Sequence, residues 1–386
     1  MIDVAVIGGG LAGCHAAVTL AQRNHNVLLL EAGTYPRPKV CGEFLSPECA
    51  ALFKETGFLP ILKALNPASI NTVRMTAPNG VEWHAALPGQ AIGVSRYALD
   101  AALFRYAERV GVTVHDKAKV TEIKGNLHDG FTLTVRTSDG LRKFQTKAVI
   151  AAYGKHSGLD RRFQRRYLNR YTSYVALKRH FTGPPLPHRI DLHVFRGGYC
   201  GMSHVENNVT NVCLLVRQQV FRETMRDKPD DVKPFIDWMR QQNSYLDEWL
   251  RQATPLDDKW LSIAQIPLVT KAPIEDDLLF TGDAAGIVAP LAGDGMAMAL
   301  HSGKMAAHSL DAYLTHQLSA EAMKQLYART WHRTFRRRLQ LGRGLQSIML
   351  RPKILGIGLQ VINLLPAIGD FLVAQTRDLG LLEQKP

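Results

Sequence analysis

The sequence predicts an α/β protein that begins with a Rossmann-type βαβ unit, continues with strands of a second β-sheet, and ends in a helical C-terminal region. Two observations predict this class. The chain opens with a strand–helix–strand pattern that contains a glycine-rich turn, and later strand-like runs alternate with turn residues before a mainly helical final third. The 386 residues, 46% of them hydrophobic, suffice for more than one packed domain.

The predicted elements begin with a βαβ unit. Residues 4–7 and 27–30 are short apolar runs that predict buried strands, and residues 11–23 between them predict a helix. A hairpin follows around Asn79-Gly80, because this dipeptide tolerates the positive φ angles of a tight turn. The hairpin strands are predicted at 70–77 and 81–87, a helix at 98–110, strands at 118–124, 131–136, 141–146, 147–152, 173–181, 190–195 and 209–217, a helix at 229–252, and a strand at 278–281.

The segment Gly8-Gly9-Gly10-Leu11-Ala12-Gly13 matches the G-x-G-x-x-G fingerprint of dinucleotide sites. Gly8 permits the tight turn, Gly10 lets a pyrophosphate approach the backbone, and Gly13 lets the helix and strand pack closely. The helix N-terminus then directs N–H groups and a positive dipole end at the phosphates.

An acidic residue ends the second strand. Glu31 follows Gly13 by 18 residues, where a carboxylate accepts hydrogen bonds from a ribose 2′-hydroxyl. Because an acid disfavours a 2′-phosphate, the site favours FAD or NAD over NADP. The residues predicted to bind the nucleotide are Gly8, Gly10, Leu11, Ala12, Gly13, Glu31 and Ala32.

Residues 281–296 favour FAD over NAD. An acid after a strand, followed by Pro-x-x-Gly-x-Gly at the start of a helix, suits an extended cofactor. Asp283 is placed to bond the ribitol hydroxyls, and the N–H groups near Gly295 and Met296 to face the flavin carbonyl edge. The predicted FAD-binding residues here are Gly282, Asp283, Pro290, Gly293, Gly295 and Met296.

These motifs resemble the FAD-dependent oxidoreductase superfamily of para-hydroxybenzoate hydroxylase, geranylgeranyl reductases and flavin-dependent halogenases, over roughly residues 1–345. The resemblance is closest to the geranylgeranyl reductase-like branch. Cys41-Gly42 is similar to that branch's loop beside the isoalloxazine, Arg96 to an arginine that reaches FAD, and Val120 to a position whose backbone meets the adenine.

The resemblance implies a glutathione reductase-like FAD-binding domain of the para-hydroxybenzoate hydroxylase type. That domain is discontinuous, because the substrate domain is inserted into it. The expected boundaries are 1–69, 96–166 and 270–320 for the FAD-binding domain, 70–95 and 167–269 for the substrate domain, and 321–386 for the C-terminal helical region.

Departures from the superfamily's patterns rank the reactions. Tyr153-Gly154 stands where aromatic hydroxylases carry Asp-Gly, Gly286 stands where they carry His, and the Trp-x-Trp-x-Ile-Pro motif of halogenases is absent from the sequence. A reductase acting on a lipophilic, carrier-bound or isoprenoid-like small molecule therefore ranks first. A monooxygenase that uses NAD(P)H and O2 ranks second, and a halogenase third. An electron-transfer flavoprotein stays open, although the sequence lacks a cysteine set for an iron–sulfur cluster.

The flavin would perform the redox chemistry, and the protein would position the reactants. Cys41 is the one side chain nominated as catalytic, with a small packing residue as its alternative role. Glu43 is either a proton donor or a solvated or structural carboxylate. No second dinucleotide fingerprint occurs in the sequence, so NAD(P)H would visit the flavin transiently, or another protein would supply electrons.

The net charge of +13 is concentrated in two segments, 155–180 with +7 and 329–353 with +8. At helical spacing, the second segment places an apolar stripe opposite a basic face, with Arg338 as an exception. This face either covers a core helix in solvent or contacts an anionic membrane or substrate. The stripe is Tyr327, Trp331, Phe335 and Leu339; the basic face is Arg329, Arg333, Arg336, Arg337 and Arg343.

Residues 354–374 contain a single charge and are predicted to cover a lipophilic substrate tunnel or to touch a bilayer. The N-terminus lacks the pattern of a secretory signal, and the five cysteines form no zinc or disulfide pattern. We therefore expect a cytoplasmic protein. The alternative is a protein attached peripherally to the inner face of a membrane. No nucleic-acid recognition motif occurs in the sequence, and the oligomeric state is not predicted.

Overall fold

Two β-sheets organise the structure, which is a computed structural model. The first sheet is mainly parallel and follows the nucleotide-binding motif, and the second is mainly antiparallel. Residues of both sheets line a cavity, which is described below. The structure describes residues 1–155, 157–165, 174–225, 231–264, 271–287 and 293–365, and the side chains of Arg343 and Lys353 are outside this description.

The first sheet has the strand order β16-β17-β9-β1-β2-β6, and β8 pairs with both β9 and β7. Its central strands β1 and β2 pair in parallel and are buried on both faces, as expected for a sheet covered by helices. The strands are β1 (Ile2–Ile7), β2 (Val27–Leu30), β6 (Thr113–His115), β7 (Lys119–Asn126), β8 (Gly130–Thr137), β9 (Gly140–Ala151), β16 (Ile274–Glu275) and β17 (Leu278–Phe280).

The second sheet has the order β14-β10-β13-β12-β11-β4-β5-β3, with β15 also paired to β10. Its strands are β3 (Phe44–Leu45), β4 (Ala68–Thr76), β5 (Glu82–Gly93), β10 (Tyr174–Thr182), β11 (Arg189–Phe195), β12 (Gly198–His204), β13 (Thr210–Arg217), β14 (Thr254–Pro255) and β15 (Leu261–Ala264). The predicted hairpin is confirmed, because β4 and β5 pair antiparallel on either side of Asn79-Gly80.

Helices cover both sheets. The helix after the glycine turn packs against the long helix that follows residue 294, and an added Cβ on Gly303 would lie 2.3 Å from Ala12 O. This close approach requires a residue without a side chain. The helices are α1 (Leu11–Ala21), α2 (Cys49–Glu55), α3 (Leu59–Ala64), α4 (Arg96–Arg109), α5 (Gly158–Arg162), α6 (Gln218–Met225), α7 (Lys233–Gln241), α8 (Ser244–Gln252), α9 (Gly295–Leu314), α10 (Ala320–Met349) and α11 (Pro352–Leu364).

The apolar stripe of α10 belongs to the core of the first sheet. Its members Tyr327, Trp331, Phe335 and Leu339 are at most 3% exposed. Arg338 interrupts the wheel pattern because it turns inward and lies 3.8 Å from the buried Glu48. The predicted stripe is therefore confirmed, and Arg338 is part of the interior. Among the residues that the structure describes, no helix combines the length and hydropathy needed to cross a bilayer.

Three expectations need correction. The strand β12 was not predicted, because its glycines and cysteine give a weak strand signal. The predicted strands at 141–146 and 147–152 form one continuous strand, β9. The predicted helix at 229–252 is divided within the described residues into α7 and α8, because the Asn243 side chain accepts from the Leu246 N–H and caps a new helix.

The first basic segment is not a uniform surface patch. The Arg165 and Lys178 side chains are at most 1% exposed and pair with acidic side chains. Burial of a charge requires such pairing, so these two residues contribute to the interior and not to a surface for partners.

Candidate functional site

A cavity of about 1160 Å³ joins the glycine-rich turn to the second sheet and the C-terminal helices. At one end it is lined by loops that follow the parallel strands, where ligands of open α/β sheets bind. The other end is lined by apolar side chains. The predicted cofactor residues on its wall are Gly8, Gly10, Leu11, Ala12, Glu31, Ala32, Cys41, Gly42, Arg96, Val120, Gly282, Asp283, Gly293, Gly295 and Met296.

Two predicted cofactor residues remain. Pro290 lies outside the described residues. Gly13 packs behind the turn, where an added Cβ would lie 1.9 Å from Gly8 O. Gly8 itself has a φ of +109°, and its added Cβ would lie 2.4 Å from Ala152 O. The tight turn and the close packing argued from the sequence are both present in the structure.

The N-terminus of α1 is suited to hold phosphate groups. Gly10 is its N-cap residue, and no side chain in the described part of the chain forms a cap hydrogen bond there. An added Cβ on Gly10 would find Lys39 Nζ at 3.6 Å and Arg96 Nη2 at 4.0 Å. Two cations therefore lie beside the N-terminus of α1, which fits the pyrophosphate of FAD.

Lys39 and Arg96 are held by the same carboxylate. Arg96 Nε lies 2.7 Å from Asp100 Oδ1, and Lys39 Nζ lies 2.5 Å from Asp100 Oδ2. Burial would raise the pKa of Asp100, but Arg96 and Lys39 bring it below its usual value. The carboxylate thus stays charged and positions both cations. Lys39 was not singled out from the sequence, although it begins the loop that carries Cys41.

Glu31 lies where the sequence placed it, at the carboxyl end of β2. The residue is buried, and its carboxylate accepts hydrogen bonds from the backbone N–H groups of Gly9 at 2.9 Å and Gly33 at 2.8 Å. Arg37 Nη2 lies 2.7 Å from Glu31 Oε1. These contacts fix the carboxylate beside the glycine turn, which fits an acceptor for a ribose hydroxyl.

The two segments predicted to surround the flavin ring meet in the fold. Cys41 Sγ lies 3.7 Å from Met296 Sδ, although 255 residues separate them in the chain. Arg96 Nη1 lies 4.0 Å from Cys41 Sγ. Cys41 is partly exposed and lines the cavity, so it has access to a bound ligand. Its chemical role stays a prediction.

Glu43 is buried and paired, so it is not a solvated carboxylate. Its Oε1 accepts from the Arg96 backbone N–H at 2.7 Å and from Lys178 Nζ, and its Oε2 lies 2.7 Å from His180 Nε2. Lys178 and His180 point to the same face of β10, since side chains alternate along a strand. This network ties the Cys41 loop to the second sheet.

The far part of the cavity is apolar. Side chains from β4, β5, β11, β12 and the last two helices form a continuous hydrophobic cluster that also lines the cavity. Such a wall recognises a ligand by shape and by removal of hydrocarbon from water. Its members include Val73, Met75, Trp83, Leu192, Tyr199, Ile287, Met349, Leu355 and Leu359.

Comparison with known proteins agrees with an FAD site at this cavity. A family model described as FAD binding domain matches residues 1–336. Menaquinone reductase of Mycobacterium tuberculosis is 28% identical over 331 residues, which cover 80% of this chain and 76% of that protein. Digeranylgeranylglycerophospholipid reductase of Methanosarcina acetivorans is 23% identical over 346 residues, covering 86% of this chain and 81% of that protein.

Solved structures show the same fold. A flavoprotein/dehydrogenase from Cytophaga hutchinsonii has a TM-score of 0.78 at 20% identity, over 91% of this chain and 86% of that one. The flavin-dependent halogenase CmlS has a TM-score of 0.76 at 24% identity, over 88% of this chain and 63% of that one. The chain thus spans less than two thirds of the halogenase. At these identities the likeness confirms the predicted fold class and carries no statement on the reaction.

Proposed function

Because the chain belongs to the FAD binding domain family, and is thereby an FAD-dependent oxidoreductase, we propose that it reduces a lipophilic, isoprenoid-like small molecule. The observation that carries this proposal is the continuous cavity. Its polar part fits FAD, and its apolar part adjoins the predicted position of the flavin ring at Cys41 and Met296. A lipophilic substrate in the apolar part would have access to that ring.

Two relatives support the choice of a reductase. One is named as a reductase of menaquinone and the other as a reductase of digeranylgeranylglycerophospholipid. The substitutions at Tyr153 and Gly286 already favoured a reductase over a hydroxylase. Monooxygenation remains the second candidate, because the superfamily includes hydroxylases on the same fold.

The protein's own residues bind and orient the reactants. FAD, when bound, supplies the two-electron transfer. Gly10, Lys39 and Arg96 would hold its pyrophosphate, and Glu31 its ribose, so that the ring end points toward Cys41. The apolar wall would exclude water from the substrate and align its reacting carbon atoms. NAD(P)H is proposed as the transient reductant.

The test uses the purified FAD-loaded protein. Under anaerobic conditions, NADH or NADPH should bleach the flavin absorbance, and later addition of detergent-dispersed menaquinone should restore it. Mass spectrometry should show a product that has gained two hydrogen atoms. A product that has gained one oxygen atom in air would support monooxygenation instead, and protein that cannot bind FAD would contradict the proposed function.

A matched pair of variants tests the apolar part of the cavity. Ala176 lines the cavity, whereas Ala86 is exposed on a strand of the same sheet. Ala176→Leu should slow menaquinone turnover and leave reduction by NAD(P)H unchanged, because the added atoms occupy only the substrate space. Ala86→Leu should change neither rate. Equal turnover by both variants would place the substrate elsewhere.

A further inference from the structure

The opening of the cavity carries an exposed apolar surface. Six large hydrophobic side chains at the end of α10 and along α11 are between 44% and 80% exposed, a level unusual for neighbouring residues of a monomeric protein. We call this set the apolar lip. It consists of Ile348, Ile354, Ile357, Val361, Leu364 and Leu365.

The helix α11 is apolar on two opposite faces. One face packs Leu355 and Leu359 into the hydrophobic cluster that lines the cavity. At 3.6 residues per turn, four lip residues from Ile354 to Leu364 fall within an arc of about 80° on the other side. A helix on a water-exposed surface normally carries polar residues there. The outer face of α11 therefore fits an apolar environment.

The apolar lip also borders the cavity. Ile348 and Val361 line its wall and are each 44% exposed. The apolar interior thus continues to the outer surface through these two side chains. A lipophilic molecule that enters here would pass along hydrocarbon side chains and not across a polar rim.

A basic surface accompanies the lip on α10. Arg329, Arg333, Arg336 and Arg337 are exposed, and Arg337 and Ile348 lie about 20° apart around the helix axis and about 16 Å apart along it. The sequence contains no Asp or Glu between residues 322 and 369. Arginines beside an exposed apolar face are the pattern of helices that bind the interface of anionic bilayers.

We propose that the apolar lip and these four arginines dock the protein on an anionic lipid bilayer, with the cavity opening into the hydrocarbon. The lip would enter the boundary between headgroups and acyl chains, and the arginines would contact lipid phosphates. For the nature of its cargo, the proposal rests on the proposed function, because a lipophilic substrate would then move between bilayer and cavity without crossing water. Vesicle binding itself requires no turnover.

The experiment measures flotation of the FAD-loaded full chain with vesicles of phosphatidylcholine, with or without phosphatidylglycerol. Ile357→Asn/Leu364→Asn removes two lip residues that do not line the cavity. The control Leu141→Asn/Leu256→Asn removes two leucines elsewhere on the surface that are both more than half exposed. A third variant changes Arg329, Arg333, Arg336 and Arg337 to Gln. Its control changes four exposed basic residues elsewhere to Gln, namely Lys124, Arg142, Lys143 and Lys147.

Wild-type protein should float with the anionic vesicles, and less so as added salt screens the charges. The lip variant should lose at least about tenfold in partition at every salt concentration, since each polar substitution raises the cost of insertion. The arginine variant should lose its preference for phosphatidylglycerol. Both control variants should float like wild type, and all variants should retain the flavin spectrum.

Three results would overturn the proposal. Wild-type protein could fail to float at low salt, or the lip variant and its control could lose binding equally. In the third, the chain forms a dimer on gel filtration that Ile357→Asn/Leu364→Asn dissociates, without any vesicle binding, so that a second copy covers the lip. In each case menaquinone turnover in detergent would still report on the proposed function separately.

Discussion

The phenolic hydroxyl of Tyr153 donates a hydrogen bond of 2.7 Å to Oδ1 of the buried Asp160. Tyr153 occupies the position where hydroxylases of the superfamily carry an aspartate, and it lines the cavity. Asp160, seven residues later, provides a carboxylate, but Tyr153 and not Asp160 lines the cavity. Burial, and then Asp160, raise the pKa of Tyr153 above its usual value, so the phenol remains a hydrogen-bond donor at neutral pH.

Removal of this hydroxyl should weaken the fold more than the cofactor site. Tyr153→Phe leaves Asp160 Oδ1 without its closest donor, and a hydrogen bond to a charged group contributes about 1.5–3 kcal/mol. We expect the free energy of unfolding, measured with urea, to fall by about that amount while FAD is retained. Tyr97→Phe, on an exposed side chain, is the control and should have no effect. Loss of FAD from Tyr153→Phe would instead assign the hydroxyl to cofactor binding.

The glycines of the turn should separate binding from folding. Gly10→Val should leave the folded chain intact, because an added Cβ makes only ordinary contacts, with Lys39 Nζ at 3.6 Å and Arg96 Nη2 at 4.0 Å. It should lower FAD affinity at least about tenfold by obstructing the phosphate. Gly13→Ala should destabilise the protein, since its Cβ would lie 1.9 Å from Gly8 O. Circular dichroism and flavin fluorescence distinguish the two outcomes. A Gly10→Val protein that binds FAD normally would contradict the assignment of the phosphate site.

The Glu43–Lys178 pair should show strong coupling. Glu43→Gln leaves the ammonium group of Lys178 buried without its acidic partner, which should cost about 3–5 kcal/mol of unfolding free energy. Lys178→Met should lower the unfolding free energy by a similar amount, because it leaves the buried Glu43 carboxylate without the Lys178 ammonium group. The double variant should cost less than the sum of the two single changes, as measured by a double-mutant cycle in urea. Additive effects would show that the two charges do not stabilise each other.

A buried histidine predicts a loss of stability in acid. Burial lowers the pKa of His15 from its ordinary 6.5 to about 4, so the folded chain binds this proton less readily than the unfolded chain. The unfolding free energy should therefore fall as the pH drops from 6.5 to about 4, by about 3 kcal/mol at the lower end. Urea titrations of His15→Gln should show a smaller fall over this range. His128→Gln, at an exposed position, should follow wild type.

Local patterns predicted the βαβ opening, because the glycine turn and the flanking apolar strands depend on neighbours in sequence. Contacts between distant residues were not predicted. Lys39 and Asp100 are 61 residues apart, and Glu43 and Lys178 are 135 residues apart. Arg338 looked misplaced on a helical wheel because its partner Glu48 lies on another part of the fold. Single-sequence reasoning identifies the charges of such pairs but not their partners.

Because α10 is one continuous helix, it holds two parts of the structure at a fixed distance from each other. Trp331 is embedded in the core of the first sheet, and Met349 lies in the cavity wall near the opening, 18 residues or about 27 Å further along the same helix. A single helix, and not a loop, therefore fixes the distance between the packing core of the first sheet and the cavity wall at Met349. Under the proposed function, a molecule anchored by a headgroup outside the entrance would present to the flavin only those carbon atoms whose distance from the headgroup matches the depth of the cavity. Discrimination between lipids could then depend on the depth of the reacting bond below the headgroup.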